Sequence, residues 1–344
     1  MTYQTSNGGN MTGSADNHTR PGNSASFGIP PDTIPAVVIM VFVLVINSSV
    51  ILLISCYSCL RTTSNIILAS LAVSDFLVGF VGIPLLVTCS SATHLTSVCT
   101  SSIIFFTFMA LSTVLHITVM TCDRYIYIMW ALRYPEIVRR SRVFTVLAIT
   151  WIISLGQSLV RLSWTWNVSV ATAVEDLALV QEKETIYFLF NIIVFFFIPL
   201  IVMIVLDAHM LLLLRRQCQR IARENLPAEF VRREKKLQRR QRRAVLTCVL
   251  LLILYVIFWL PYFILELVQQ HHPGKLPYLV VITIYYLRLC TSLFNPLTYT
   301  LRKYDLRSRV KSIFQRMFFS WRKDESEMEY TRGTNLGHGP VASV

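Results

Sequence analysis

The sequence predicts an all-α membrane protein: a seven-transmembrane helix bundle followed by a short amphipathic helix on the cytosolic side. Three observations carry this. First, 54% of the 344 residues are hydrophobic and only 15% are charged, a balance outside that of ordinary soluble domains. Second, seven apolar segments stand out, at 33–58, 64–90, 99–129, 143–163, 185–214, 244–269 and 276–301. Each is near or above the roughly 20 residues that a helix needs to cross the hydrocarbon core. Each must be helical, because an open chain in lipid leaves its backbone N–H and C=O groups without partners. Third, basic residues concentrate in alternate loops, as they do when Lys and Arg stay on the cytosolic side.

Residues 1–32 precede the first span. They are polar, lack the apolar core of a signal peptide, and carry glycosylation sequons at Asn10 and Asn17. They read as a disordered, glycosylated extracellular tail, with the first span as the targeting element. Between the fourth and fifth spans Asn167 opens a third sequon, on the same side as the N-terminus. The opposite side carries Arg61 in its first loop, Arg133, Arg139, Arg140 and Arg142 in the next, twelve bases between 215 and 243, and nine after 301. Only Arg20, Lys183 and Lys275 lie on the outer side. The N-terminus is therefore expected outside and the C-terminus in the cytosol. The net charge of +13 is mostly this asymmetry. It suits anionic membrane lipids and not nucleic acid, since the bases belong to no separate folded domain. Of the eight cysteines, Cys89 and Cys99 are the ones placed to meet an oxidising exterior.

The bundle itself occupies 33–301. The third cytosolic loop has few helix breakers apart from Pro227, so the fifth and sixth helices are expected to continue into the cytosol as charged, solvated ends. Residues 302–319 place Leu306, Val310, Ile313, Phe314 and Met317 on one face and bases on the other, the pattern of a helix lying on the inner leaflet. Residues 320–344 are polar and read as a disordered cytosolic tail. No internal repeat is visible, which counts against repeat-built transporters.

The costly residues inside the spans carry the functional reading. In "VMTCDRYIYIM" Asp123 and Arg124 stand side by side at the end of an apolar run, and ionisable groups at membrane depth are functional by default. Asp75, buried mid-span, needs a partner. Pro84, Pro199, Pro261 and Pro296 each remove a backbone bond from a different span. Each span also carries a motif, in order: "INSSV" with Asn47, "LAVSDFLVG" with Asp75, Cys99 and "CDRY", Trp151, Pro199, "FWLP" with Trp259, and "NPLTY" from Asn295 to Tyr299. On these residues the chain resembles a rhodopsin-like (class A) G-protein-coupled receptor, over roughly residues 33–316.

The resemblance implies that Asp123, Arg124 and Tyr125 form a switch for a heterotrimeric G protein. Arg124 would be held by acids at rest and, once freed, would pack against an inserted G-protein helix. Asn295, Pro296 and Tyr299 share in that switch, and Trp259 with Pro261 corresponds to a toggle at a hinge. Asp75, Thr113, Ser292 and Asn295, beside Trp259, match a cluster that holds a sodium ion; a water-filled polar cluster is the alternative. No other cofactor and no catalytic chemistry are implied.

Four departures from the family's pattern matter. The usual disulfide partner of Cys99 lies in the second outer loop, and "SWTWNVSVATAVEDLALVQEKE" contains no cysteine. Cys89 is then the candidate partner, the alternative being two free thiols and a less constrained outer loop. Amine receptors carry an acid in the third helix where this chain has Phe106. Glu266 and Arg288 are aimed inward by helical period and either pair with each other or meet a ligand. A free Arg288 favours an anionic ligand group and a free Glu266 a cationic one. Finally, Asp207 stands where a tyrosine is expected, and Gln241 where an acid often locks the arginine, so Asp207 is expected to engage Arg124 instead. His271 and His272, in "QHHP", read either as a metal site or as plain loop residues.

The function expected is that of a plasma-membrane receptor, not an enzyme, with an extracellular N-terminus and a small-molecule or peptide ligand. Helical phase gives Phe106, Thr107, Ala110, Tyr262, Phe263, Glu266, Tyr285 and Arg288 as the ligand lining, with Trp259 at its floor. Arrestin and receptor kinases are further expected partners, the kinases at Ser320, Ser326, Thr331 and Thr334. An odorant-like receptor of the same fold is the alternative, from "ALRYPEI" and "NPLTYTLR". A transporter or channel is disfavoured because the inward charges are sparse and lie in separate layers.

Overall fold

The computed structural model describes residues 33–91, 96–168, 174–223, 227–272 and 275–302, with single positions at 308 and 312. Among the described residues seven helices are long and apolar enough to cross a membrane: Ile34–Cys56, Thr63–Ser91, Ser97–Met129, Arg140–Thr165, Ala178–Arg220, Arg232–His271 and Tyr278–Thr298. Asn10, Asn17, most of 302–319 and the tail 320–344 lie outside the described residues. So does the side chain of Asn167, whose backbone belongs to the short helix Leu162–Val168.

The helices pack in sequence order, and the ring closes where the first meets the seventh. The third is the inner post, touching the second, fourth, fifth and sixth. Large apolar side chains such as Phe42, Val45, Leu52, Ile152 and Ile201 face outward. Asn47, Asp75, Thr113, His116, Asp123 and Asn295 are buried between helices. This inversion of a soluble protein follows from lipid being as apolar as a core: polar groups find partners only inside the bundle. At Gly79 an added Cβ would come within 3.0 Å of Val43 and 3.2 Å of Leu44, so the bare glycine lets the first and second helices approach.

The four prolines are accommodated in two ways. Five residues of π-helix, Val78–Gly82, precede Pro84, and six, Ile192–Phe197, precede Pro199; the wider turn relieves the clash between the ring and the preceding carbonyl. Pro261 and Pro296 lie inside continuous α-helix. Two of the carbonyls deprived of a donor are served by other helices. Tyr255 Oη donates to the Phe195 carbonyl at 3.4 Å, four residues before Pro199. Asn47 Nδ2 donates to the Ser292 carbonyl at 3.1 Å, four before Pro296. Each repair ties a broken helix to its neighbour.

Two outer features differ from a simple loop picture. Most of the second outer loop is helical: Leu162–Val168 follows the fourth helix, and the fifth begins at Val174. Its sequence has good helix formers, Ala178, Leu179 and Glu182 among them. Arg161 and Glu184 form an ion pair at 2.7 Å, and Trp164 Nε1 donates to Glu184 at 2.7 Å. In this loop, which has no cysteine, an ion pair and an indole hydrogen bond are the ties to the helix ends. Cys89 and Cys99 are joined in a disulfide, Cα atoms 4.9 Å apart, fastening the outer ends of the second and third helices. On the side expected to face the cytosol the fifth and sixth helices extend as far as Arg223 and from Ala228, with Pro227 at the start of the latter.

Candidate functional site

At the outer end the helices splay around a cavity of ≈ 620 Å³, within the range of small-molecule sites. Phe106, Thr107, Ala110, Tyr262, Phe263, Glu266, Tyr285 and Arg288 all line it, with Trp259. Helical phase found these because each lies on a helix whose inward face is fixed by burial. Phase alone missed the wall contributed by the outer loop and upper fifth helix: Arg161, Gln181, Glu184, Tyr187 and Asn191 also line the cavity. Arg161, a charge at the end of a span, was the available signal.

Glu266 and Arg288 do not form an ion pair. Tyr285 Oη donates to Glu266 Oε1 at 3.0 Å. The Arg288 guanidinium carbon lies 4.3 Å from the centroid of Tyr262, 5.3 Å from Phe106 and 5.5 Å from Trp259, a cation held by three aromatic faces.

Below this layer is a chamber of ≈ 20 Å³ lined by Thr113, Trp259, Arg288, Thr291 and Ser292, room for about one water. Beside it Asp75 is 0% exposed and accepts from Asn295 Nδ2 at 3.1 Å. Asp75, Thr113 and Ser292 thus offer carboxylate and hydroxyl oxygens, the donor set suited to a hard monovalent cation. A second buried network lies between the second, third and fourth helices. His116 bonds Ser70 Oγ at 2.8 Å and the Ser112 carbonyl at 2.7 Å, while Trp151 Nε1 donates to Ser70 at 3.0 Å. Trp151 was legible as a motif; His116 has no local pattern and was not.

At the opposite end of the bundle Asp123 is 5% exposed and accepts two hydroxyls: Ser64 on Oδ2 at 2.6 Å and Tyr134 on Oδ1 at 2.7 Å. Arg124 Nε stands 4.0 Å from Asp123 Oδ2. Tyr134 lies on the short loop helix Tyr134–Ile137, and burial and the Asp123 charge push its phenol pKa up. It therefore remains a protonated donor at neutral pH. Ser64 and Tyr134 were missed, because only the folded loop brings them to the acid. Tyr125 Oη meets His209 Nδ1 at 3.0 Å. Pro296 is buried in the seventh helix, while the side chain of Tyr299 lies outside the described residues.

One expectation is overturned. Asp207 does not engage Arg124. It is 3% exposed, and neither carboxylate oxygen has a hydrogen-bond partner. Arg124 instead stays with its neighbour Asp123, which Ser64 and Tyr134 hold in place. Gln241 is buried near this end. His271 and His272 are exposed, and no group of three or more His, Cys, Asp or Glu that could hold a metal ion occurs among the described residues.

Comparisons with known proteins agree with this arrangement. Residues 46–299 match the model of the 7 transmembrane receptor (rhodopsin family). The chain is 25% identical over 321 residues to the histamine H2 receptor of Cavia porcellus, covering 87% of this chain and 84% of the relative. It is 26% identical over 282 residues to the adenosine receptor A2a of Canis lupus familiaris, covering 74% and 65%. With the melatonin receptor type 1A of Mus musculus it shares 23% over 297 residues, 82% of each.

Proposed function

The chain belongs to the rhodopsin family of seven-transmembrane receptors, and on that premise we propose that it is a plasma-membrane receptor which binds an extracellular ligand in the outer cavity and activates a heterotrimeric G protein at its Asp123–Arg124 end. One observation carries the reading. Trp259 lines the outer cavity and belongs to a single buried core that runs through Phe196, Tyr255 and Leu251 to Met120, one turn before Asp123. A close-packed core has discrete arrangements and resists continuous deformation. A ligand that favours one arrangement at Trp259 shifts the population at Arg124 by the difference in its affinity for the two states.

The cytosolic face suits the partner. Arg139, Arg140 and the bases of 215–243 attract acidic protein surface and anionic inner-leaflet lipid. Arrestin and receptor kinases would meet the same face. The names of the relatives point to three different ligands, histamine, adenosine and melatonin, so they assign none here. Phe106 lines the cavity where an amine receptor carries its acid, which speaks against a histamine-like amine held from the third helix. The oxygens of Asp75, Thr113 and Ser292, with Asn295 fixing the carboxylate, would hold an allosteric sodium ion and tie the second, third and seventh helices together.

The test is nucleotide exchange on a reconstituted panel of G proteins, wild type against Arg124→Ala, at matched surface expression. Basal exchange on at least one G protein is expected to fall in the variant. An identical baseline across the panel would remove the coupling role.

A further inference from the structure

Among the charges that line the cavity, one is left by the walls with neither a counter-ion nor a hydrogen-bond partner. Four charged residues line it: Arg161, Glu184, Glu266 and Arg288. Arg161 and Glu184 neutralise each other at 2.7 Å. Glu266 accepts a hydrogen bond from the Tyr285 hydroxyl at 3.0 Å. Arg288 faces three aromatic rings and, among the described residues, has no carboxylate within ion-pair distance and no hydrogen-bond acceptor. Aromatic faces attract the cation but accept none of its five N–H groups along their directions.

The unmet donors are not confined to the arginine. Trp259 Nε1 and the Thr291 hydroxyl are both buried without a partner, and both residues line the small chamber that Arg288 borders. Donors without acceptors therefore collect at the cavity floor, in a place where an unmade hydrogen bond is costly. A carboxylate has four lone-pair sites and matches the guanidinium fork in two parallel bonds.

We propose that the ligand carries an anionic head, a carboxylate, which docks on Arg288 at the cavity floor while an apolar or aromatic body fills the space between Phe106, Tyr262 and Phe263. This rests on the outer cavity being the ligand site, and it names the ligand's chemical class. Water is the rival occupant, and a neutral acceptor such as an amide oxygen is the rival head group. Both satisfy donors without supplying charge.

The experiment uses full-length receptor in lipid nanodiscs and a matched set of ω-phenylalkyl carboxylates, primary amides and primary amines of increasing chain length. Binding is read as the concentration dependence of thermal stabilisation. The carboxylates are expected to bind at least about tenfold more tightly than the amides of equal length, the margin of a charge-assisted bidentate pair. Arg288→Gln is expected to abolish that preference and Arg288→Lys to retain part of it, since lysine keeps the charge and loses the fork. Equal binding of acid and amide, tighter binding of the amine, absence of binding by every acid, or an acid preference that survives Arg288→Gln would each overturn the proposal. Signalling is read separately. Acids that bind without promoting nucleotide exchange would count against the coupling reading alone, and an Arg124-dependent baseline with no acid binding would count against this one alone.

Discussion

Asp207 shows how a residue can be read correctly as unusual and wrongly as to partner. An acid near the inner end of the fifth helix sits within a helix turn or two of the switch in sequence logic, yet its side chain enters a buried space with no donor. Burying a carboxyl group without a hydrogen bond is costly, so this residue lowers the stability of the state described. Asp207→Val, of similar size and without polar atoms, is expected to raise the thermal midpoint by about 2–4 °C, the shift that ~1 kcal/mol gives in a domain of this size. It should not produce the rise in basal signalling that a broken lock on Arg124 would give. Thermal unfolding in nanodiscs together with a second-messenger baseline checks both; a lower midpoint or a raised baseline would restore the lock. Asp123 is the contrasting case, equally buried but satisfied by Ser64 and Tyr134.

Between elements, the recurring device is a tie that replaces a bond the sequence has removed. Tyr255 serves the carbonyl exposed by Pro199, and Asn47 the one exposed by Pro296. The outer loop, deprived of the usual cysteine, is held by Arg161, Glu184 and Trp164. The Cys89–Cys99 disulfide closes a short loop between the second and third helices, worth about 2–3 kcal/mol on a chain-entropy account. A thermal double-mutant cycle on Cys89→Ser and Cys99→Ser tests it: each single variant and the double should lose the same stability, because either change opens the bond. Additive losses would mean two independent thiols. The prolines and both cysteines were visible in the sequence. Their repairs were not, since the donor to each carbonyl comes from a helix far away in the chain.

Across the whole molecule, the polar groups line up in three layers, Arg288 with Glu266, Asp75 with Asn295 and Ser292, and Asp123 with Arg124, joined by the core around Trp259 and Tyr255. The middle layer carries its own prediction. Sodium chloride should stabilise the wild-type receptor against heat more than choline chloride at equal ionic strength, and Asp75→Asn should erase the difference, because the amide cannot supply the cation with a charged oxygen. A difference that persists in the variant would place the ion elsewhere. The sequence by itself determined the seven spans, the concentration of bases in alternate loops, the inward faces of the third, sixth and seventh helices and the singling out of Trp259, Asp75 and Arg124. Those follow from hydrophobic length, period and the cost of charge in lipid, all of which act locally along a helix. Only the tertiary structure decided who bonds whom: that Arg288 meets rings and Glu266 meets Tyr285, that Ser64 and Tyr134 hold Asp123, and that Asp207 stands alone. Such pairings depend on rotation and depth between helices distant in sequence, and a one-dimensional pattern carries no information about either.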